Sequence, residues 1–361
     1  MHRRYFLALA ASSLALMAFA VPARADDYRI SGPIVHENLA IYLVHGKSAD
    51  GAVPLTLDEA LAKRTVKVIE TGSVNELQIE NLGTDEVFVQ SGDIVKGGQQ
   101  DRVLSVSLLL PSKSGRIPIA SFCVEQGRWT ARGKEDVKTF ATASASVPSR
   151  EAKIAMRAPA PAKVAPPTQV NPLSSISAEQ LALARSYSDT GDRQQQVWDR
   201  VRKIQDGLST NLGTPVKSSA SQSSLQLALE NEKLKDAQDA YLKALQKEGE
   251  KDGDVVGYLF AVNGKLNSAE VYPSNGLFRK MWPKLLKASV TEAIGHKNAD
   301  SEPTPASDAA LAFLTDAMKG TPTERPLPAN VRLEARDAAK AFYFQTSRAD
   351  GAWFHRSYLA K

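Results

Sequence analysis

The sequence predicts an α+β protein, with an antiparallel, sandwich-like β core, helices packed on it and a helical C-terminal extension. Three observations carry this. Between Leu39 and Val124, short apolar runs, several alternating with period two, are separated by Gly, Asn, Asp and Ser clusters, as in an antiparallel sheet. After residue 177 the apolar spacing becomes that of amphipathic helices. At Asn263-Gly264 a hairpin-turn dipeptide stands between two strand-like runs. The 361 residues are 43% hydrophobic, 24% charged and 7% aromatic, which excludes a mostly disordered, collagen-like or multi-span membrane chain.

The first element is an export pattern. His2-Arg3-Arg4 precede an apolar run from Tyr5 to Val21, then Pro22 and Ala23-Arg24-Ala25, with Asp26-Asp27 beyond. A basic start, an apolar centre and a small-x-small end form a secretory signal peptide, with cleavage expected after Ala25. A retained anchor is the competing reading, since about 17 apolar residues stand at the lower edge of a span. Cleavage removes three arginines and no acid. The formal charge then falls from +5 (45 bases against 40 acids) to +2 (42 against 40). The expected location is the bacterial periplasm or the exterior, with no membrane association after cleavage. No basic patch is concentrated enough to imply a nucleic-acid partner. The single cysteine forms no intramolecular disulfide; in an oxidising compartment it is buried, reactive, or paired with another molecule.

In the mature chain, strands are expected at Leu39–Val44, Val66–Glu70, Leu77–Glu80, Val87–Val89, Val103–Leu110 and Ile117–Glu125. Leu57–Leu61 reads as a helical turn capped by Thr56. Five prolines between Ala158 and Pro172 forbid a continuous helix or central strand. Ser177 and Asp192 are expected to cap two successive helices, the second ended by Gly213-Thr214-Pro215. Leu225–Lys247 reads as one long charged helix. Val255–Val262 and Lys265–Tyr272 form the hairpin. Ser274 starts a helix through Ile294, with Pro283 inside it, and helices follow near Ala306–Lys319 and Asn330–Phe344. The organisation is a signal peptide (1–25), a β-rich part with the polar motifs (26–135), a Pro/Ala-rich loop or linker (136–176), helices plus the hairpin completing the same unit (177–297), and the helical extension (298–361).

Nucleotide-loop, dinucleotide-fold, zinc-protease and nucleophile-elbow motifs do not occur. The mature-chain histidines, His36, His45, His296 and His355, have no ligand-like spacing, so no metal or cofactor is expected. Two stretches are unusually polar for strand-rich sequence: Ser91–Arg102, with Gly97-Gly98, and Phe122–Trp129. Their glycines permit close backbone approach. With Ala120, Phe122 and Val124 facing the core, Ser121, Cys123 and Glu125 face the other way, about 6.6 Å apart. A carboxylate beside a thiol opposes thiolate formation.

Three readings remain open. In the first, Gln100, Asp101, Arg102, Glu125, Arg128 and Trp129 line a pocket for a small polar or anionic ligand, or meet a protein partner. In the second, the chain is a hydrolase or transferase using Cys123 or the acid pair Asp101 and Glu125. In the third, Asp93, Asp101, Arg102, Glu125 and Arg128 form a purely structural network. Trp198 and Trp282 lie on helical stripes and read as core, Trp129 as the ligand platform, and Arg193 with Gln194–Gln196 as a solvated helix start.

Several stretches resemble a bacterial family, the ARG and rhodanese-phosphatase superfamily-associated protein domain. They are Leu55–Leu61, Gly72–Leu77, Gly92–Arg102, Cys123–Trp129, Gln196–Trp198 and Phe278–Leu286, and Gln100-Asp101-Arg102 and Cys123–Trp129 are the specific ones. The resemblance spans roughly residues 28–296 and implies that the β-rich part, later helices and hairpin form one unit. It implies no activity and no catalytic residue. The Pro-rich stretch and everything after about Asn298 read as additions.

Overall fold

The computed structural model describes residues 28–361 except 131, 134–135, 158–177 and 298–299, with the backbone alone at 142–144 and 178–190. The signal peptide, the Pro-rich run and Ser177 lie outside the described residues.

The chain begins with a hairpin of β1 (Arg29–His36) and β2 (Leu39–His45). β2 is apolar from Leu39 to Val44 because both its faces are covered. Leu39, Ile41 and Leu43 join the main core, and Ala40, Tyr42 and Val44 a second one. β3 (Leu55–Thr56) leads into α1 (Leu57–Ala62). The Thr56 cap is a full capping box: Thr56 Oγ1 accepts the Glu59 N–H at 3.2 Å, and Glu59 Oε2 accepts the Thr56 N–H at 2.8 Å. Then come β4 (Val66–Ser73), β5 (Glu76–Asn81), β6 (Val87–Val89), β7 (Asp93–Gly97), β8 (Arg102–Leu104), β9 (Leu108–Leu110) and β10 (Gly115–Cys123). The run Val103–Leu110 is two strands, because Ser105-Val106-Ser107 carries the chain from one sheet to another.

The span 136–176, expected as loop or linker, holds β11 (Phe140–Ser146) and α2 (Arg150–Arg157). Its Ala/Ser-rich composition conceals a strand that pairs with β7 and a helix whose Ala152 N–H is capped by Ser149 Oγ. α3 (Ala178–Leu212) is one continuous helix, so Asp192 is not a cap; the helix ends before Gly213, which has φ +64°. The expected helix Leu225–Lys247 is divided into α4 (Leu225–Leu229) and α5 (Glu232–Leu245). Asn231 breaks it, its side chain accepting the N–H groups of Lys233 and Leu234.

The hairpin is as expected. β12 (Val255–Val262) and β13 (Lys265–Val271) are joined by Asn263 and Gly264 at φ +51° and +76°. Ser274 caps α6 (Asn275–Gly295), and α7 (Ser307–Ala317) follows. The rest is a meander: β14 (Thr321–Leu327), β15 (Val331–Asp337), β16 (Ala341–Arg348) and β17 (Trp353–Ala360). The helix expected over Asn330–Phe344 is therefore corrected to strands, so that the expected helical extension is one helix, α7, followed by four strands. Local propensity for helix is high there, but Val331, Leu333 and Ala335 point inward between Arg332, Glu334 and Arg336, and β15 has antiparallel partners on both sides.

The strands form three sheets, ordered β1-β2-β12-β13-β17-β16-β15-β14, β11-β7-β8-β10-β5-β4 and β3-β6-β9. Pairing is antiparallel apart from β3 with β6. α7 covers one face of the large sheet, placing Ala310, Leu314 and Ala317 in one cluster with Tyr42, Leu259 and Tyr358. On the other side α6 contributes Met281, Trp282 and Leu285 to a core that runs continuously from Leu39 through Val103, Val197 and Tyr258 to Phe354. A third, smaller cluster is formed by Leu333, Ala335, Phe344 and Leu359. Among the described residues no helix is long and apolar enough to cross a membrane.

Candidate functional site

The two polar stretches meet because β8 pairs with β10, which sets Arg102 directly opposite Cys123. The turn into β8 requires glycine. Gly97 and Gly98 have φ +121° and +55°, and a Cβ on Gly98 would stand 2.3 Å from Phe140 Cζ. This turn folds Gln100 and Asp101 over the end of β10. The Asp101 N–H donates to Glu125 Oε2 at 3.1 Å, the Val124 N–H to the Asp101 carbonyl at 3.1 Å, and Gln100 Nε2 to the Glu125 carbonyl at 3.0 Å. Arg102 Nη1 donates to the Gln100 carbonyl at 3.0 Å and to its Oε1 at 3.2 Å. Gln100, Asp101, Arg102, Cys123 and Glu125 are all buried.

Two arginines close this lattice. Arg128 Nε donates to Glu125 Oε2 at 2.7 Å, and its Nη atoms hold the carbonyls of Gly97, Gly98 and Thr130. Arg132 bridges both acids: Nη1 reaches Asp101 Oδ2 at 3.1 Å and Glu125 Oε1 at 3.0 Å, and Nη2 reaches Asp101 Oδ1 at 3.1 Å. Asp101 also accepts the Gly97 N–H at 3.0 Å and the Ser224 hydroxyl at 2.8 Å. Burial works against the Glu125 charge, but the Ser221 hydroxyl, the Asp101 N–H and Arg128 outweigh it and hold that carboxyl below its usual range. Burial pushes Asp101 upward, aided by the Glu125 charge and opposed by Arg132. Two neighbouring carboxylates are thus driven apart in acidity.

Cys123 is a resting thiol. Its Sγ donates to the Glu125 carbonyl at 3.0 Å and accepts the Glu125 N–H at 3.3 Å. Burial raises its pKa against the pull of Arg102. Its backbone is paired with α3: the Cys123 N–H donates to Gln194 Oε1 at 2.9 Å, and Gln194 Nε2 donates back to the Cys123 carbonyl at 2.8 Å. Gln194 is therefore buried against a strand and not part of a solvated helix start. The expected phase of β10 is also corrected. Ala120 is exposed while Ile117, Ile119 and Ser121 face inward, and beyond Ser121 both faces are covered, so alternation no longer marks the inside.

Not every expected member joins. Asp93 pairs instead with Lys284 on α6 at 2.6 Å, and Lys284 also reaches Asp58 at 2.9 Å. Arg102 faces Glu70 at 3.7 Å rather than the acid pair. Trp129 is 48% exposed, beside the buried lattice rather than in it. Arg132, Ser224 and Gln194 are the members that sequence reasoning missed. Charge balance points to Arg132, since two buried acids need a second cation; nothing local marks Ser224 or Gln194.

Above the lattice lies an open cleft of about 620 Å³. Gln126, Gly127, Arg128, Thr130, Arg132 and Gly133 line one wall, and 220–223 the other. One group of metal-ligand type occurs among the described residues, His45 with Asp252 and Asp254. Both ring nitrogens of His45 are already engaged there, by Ser31 at 2.7 Å and Asp254 at 2.8 Å.

Comparison with curated proteins and with solved structures finds no match. The model of the ARG and Rhodanese-Phosphatase-superfamily-associated Protein domain matches residues 27–359. The match runs through β17, so the residues after 298 belong to the unit and are not an addition. It covers nearly the whole chain, and the protein belongs to this family.

Proposed function

We propose that the protein is an exported small-ligand-binding or interaction protein, whose site is the cleft above Asp101, Glu125, Arg128 and Arg132. One observation carries the reading. The side chains of Arg128 and Arg132, 9% and 10% exposed, are locked from below by fully buried carboxylates while lining an open cleft. Donors fixed by a buried supporting layer are what a binding site needs for preorganisation. The walls add glycine backbone and the hydroxyls and amides of Ser221, Gln222 and Ser223. Two guanidiniums against two carboxylates leave the floor without net charge. Recognition then rests on directed hydrogen bonds, which suits a small polar molecule or an anion small enough to reach the guanidinium edges. Trp129, between the lining residues Arg128 and Thr130, offers an exposed ring for stacking. Export is supported by the pattern of residues 2–25 and by the family match, which starts at residue 27, beside the expected cleavage point.

The test is thermal-shift screening of the mature chain against polar and anionic metabolites, repeated on Trp129→Ala and Gln222→Ala, both exposed positions. A ligand at about 100 times its Kd stabilises by about 2.7 kcal/mol. The expected result is a compound that raises the melting temperature of the wild type and does so less in both variants. A compound that stabilises all three equally binds elsewhere, and a library without any stabilising compound favours a purely structural lattice. N-terminal sequencing of exported protein is expected to begin at Asp26.

A further inference from the structure

Away from the cleft, three buried side chains form a directed chain. Ser107, in the crossing between β8 and β9, has its Oγ 2.9 Å from His355 Nδ1, and His355 Nε2 lies 3.0 Å from Glu270 Oε2. His355 is on β17 and Glu270 on the adjacent β13, where Glu270 pairs with Ser357, so both project from one face. All three are at most 2% exposed. The imidazole is clamped, stacked on Tyr272 at 5.3 Å and edge-on to Phe88 at 5.6 Å.

The proton positions follow from the partners. Burial opposes the Glu270 charge, but the hydrogen bond from His355, with the charges of Lys153 and Arg157, holds the carboxyl below its usual range. An ionised Glu270 only accepts, so Nε2 carries a proton, and in the neutral ring Nδ1 then presents a lone pair. In that tautomer the Ser107 hydroxyl donates to Nδ1, and its oxygen accepts the Ser91 N–H at 2.9 Å. Hydroxyl, base and orienting acid stand in the order that nucleophilic catalysis uses.

This chain ends in a cavity. Ser107, His355, Thr346, Phe344, Arg157 and Arg325 are among its lining residues, and its volume of about 10 Å³ holds one water-sized group. Arg157 packs 4.1 Å over the Phe344 ring and donates to Ser357 Oγ at 2.9 Å. Arg325, on the edge strand β14, is exposed and gives the cavity its solvent side. Arg157 feels the opposite charge of Glu270 and the like charge of Arg325, and Arg325 feels the like charge of Arg193. Cations gathered at one cavity favour an anionic ligand.

We propose that Ser107, His355 and Glu270 form a second site, separate from the cleft, that hydrolyses small-acyl esters whose alcohol part carries negative charge. Ser107 Oγ attacks the acyl carbon while its proton passes to His355 Nδ1. The bond to the alcohol oxygen breaks, and that oxygen takes the proton from His355. Water, deprotonated by His355, then attacks the acyl-serine, and release of the carboxylic acid restores the Ser107 hydroxyl. Glu270 holds the ring throughout, and the two arginines bind the anionic end.

The experiment exposes the native protein to diisopropyl fluorophosphate and locates the adduct by peptide mass spectrometry. The expected result is one adduct per chain, on Ser107, with a labelling rate reduced about 100-fold in His355→Gln, the low end of what a general base contributes. No adduct on Ser107, or equal labelling in a folded His355→Gln, overturns the proposal. Where that variant fails to fold, labelling of Ser107 in the native wild type but not in the urea-unfolded chain supports it, and labelling in both overturns it. For the substrate class, hydrolysis of 4-acetoxybenzoate is expected to exceed that of neutral phenyl acetate roughly fivefold, the size of an exposed charge pair, with the preference lost in Arg325→Ala. Equal rates on the two esters overturn the anionic assignment.

Discussion

Replacing Arg132 with methionine tests the lattice beneath the cleft. The variant keeps an extended side chain and removes three hydrogen bonds to the carboxylates, two to Asp101 and one to Glu125. It leaves two fully buried acids facing Arg128 alone. Removing one partner of a buried charged group costs about 3–5 kcal/mol. Water reaches Arg132, whose side chain is 10% exposed, so the lower end, about 3 kcal/mol, is expected. The loss also has a pH signature. In the wild type, Glu125 is lowered and contributes stability that is present above its unfolded pKa and lost as pH falls through its folded value. Asp101 is raised, so the stability it costs at neutral pH is regained as pH falls. Without Arg132 both carboxyls move upward, and the variant is expected to recover toward wild type as the pH is lowered from 7.5 to 5. Urea unfolding followed by tryptophan fluorescence at both pH values measures this. A loss below about 1 kcal/mol, or one equal at the two pH values, would refute the account of Arg132 as the cation shared by the acids.

Other outcomes follow from single contacts. Gly98→Ala combines a left-handed φ of +55° with a Cβ 2.3 Å from the Phe140 ring, and a loss of at least about 2 kcal/mol is expected in the same unfolding assay; a neutral substitution would show that the turn relaxes. Gln194→Ala leaves the buried N–H and carbonyl of Cys123 without their partner, at a cost of about 1–3 kcal/mol read from thermal melts. Native Cys123 is expected to react with iodoacetamide at pH 7.5 more slowly than in the urea-unfolded chain, because burial raises its pKa and hides it; faster alkylation in the native state would restore the covalent reading.

What could be read in advance was local. Asn263-Gly264, the Thr56 and Ser274 caps and the stop at Gly213 each act through backbone within a few residues, and each is where the sequence places it. The polar stretches around Arg102 and Cys123 stood out for the same reason, and β8–β10 pairing joins them. The failures are tertiary. Val331–Asp337 carries helix-favouring residues, yet two neighbouring strands decide its state. Gln194 looked like part of a polar surface run until β10 came to lie against it. Ser107, Glu270 and His355 share no motif, because the sheet and not the chain brings them together.

The weave of the large sheet bears on how the protein is made. β2 finds its inner neighbour only at β12, where His45 meets Val255, and β13 waits for β17, where Ala269 meets Tyr358. Contacts this remote in sequence slow folding, since long loops must close before they are rewarded. A chain emerging from its N-terminus cannot complete this sheet until β17 is available. Until then the apolar edges of β2 and β13 lie open, so a nascent or truncated chain exposes surfaces prone to association that the finished molecule pairs on both sides.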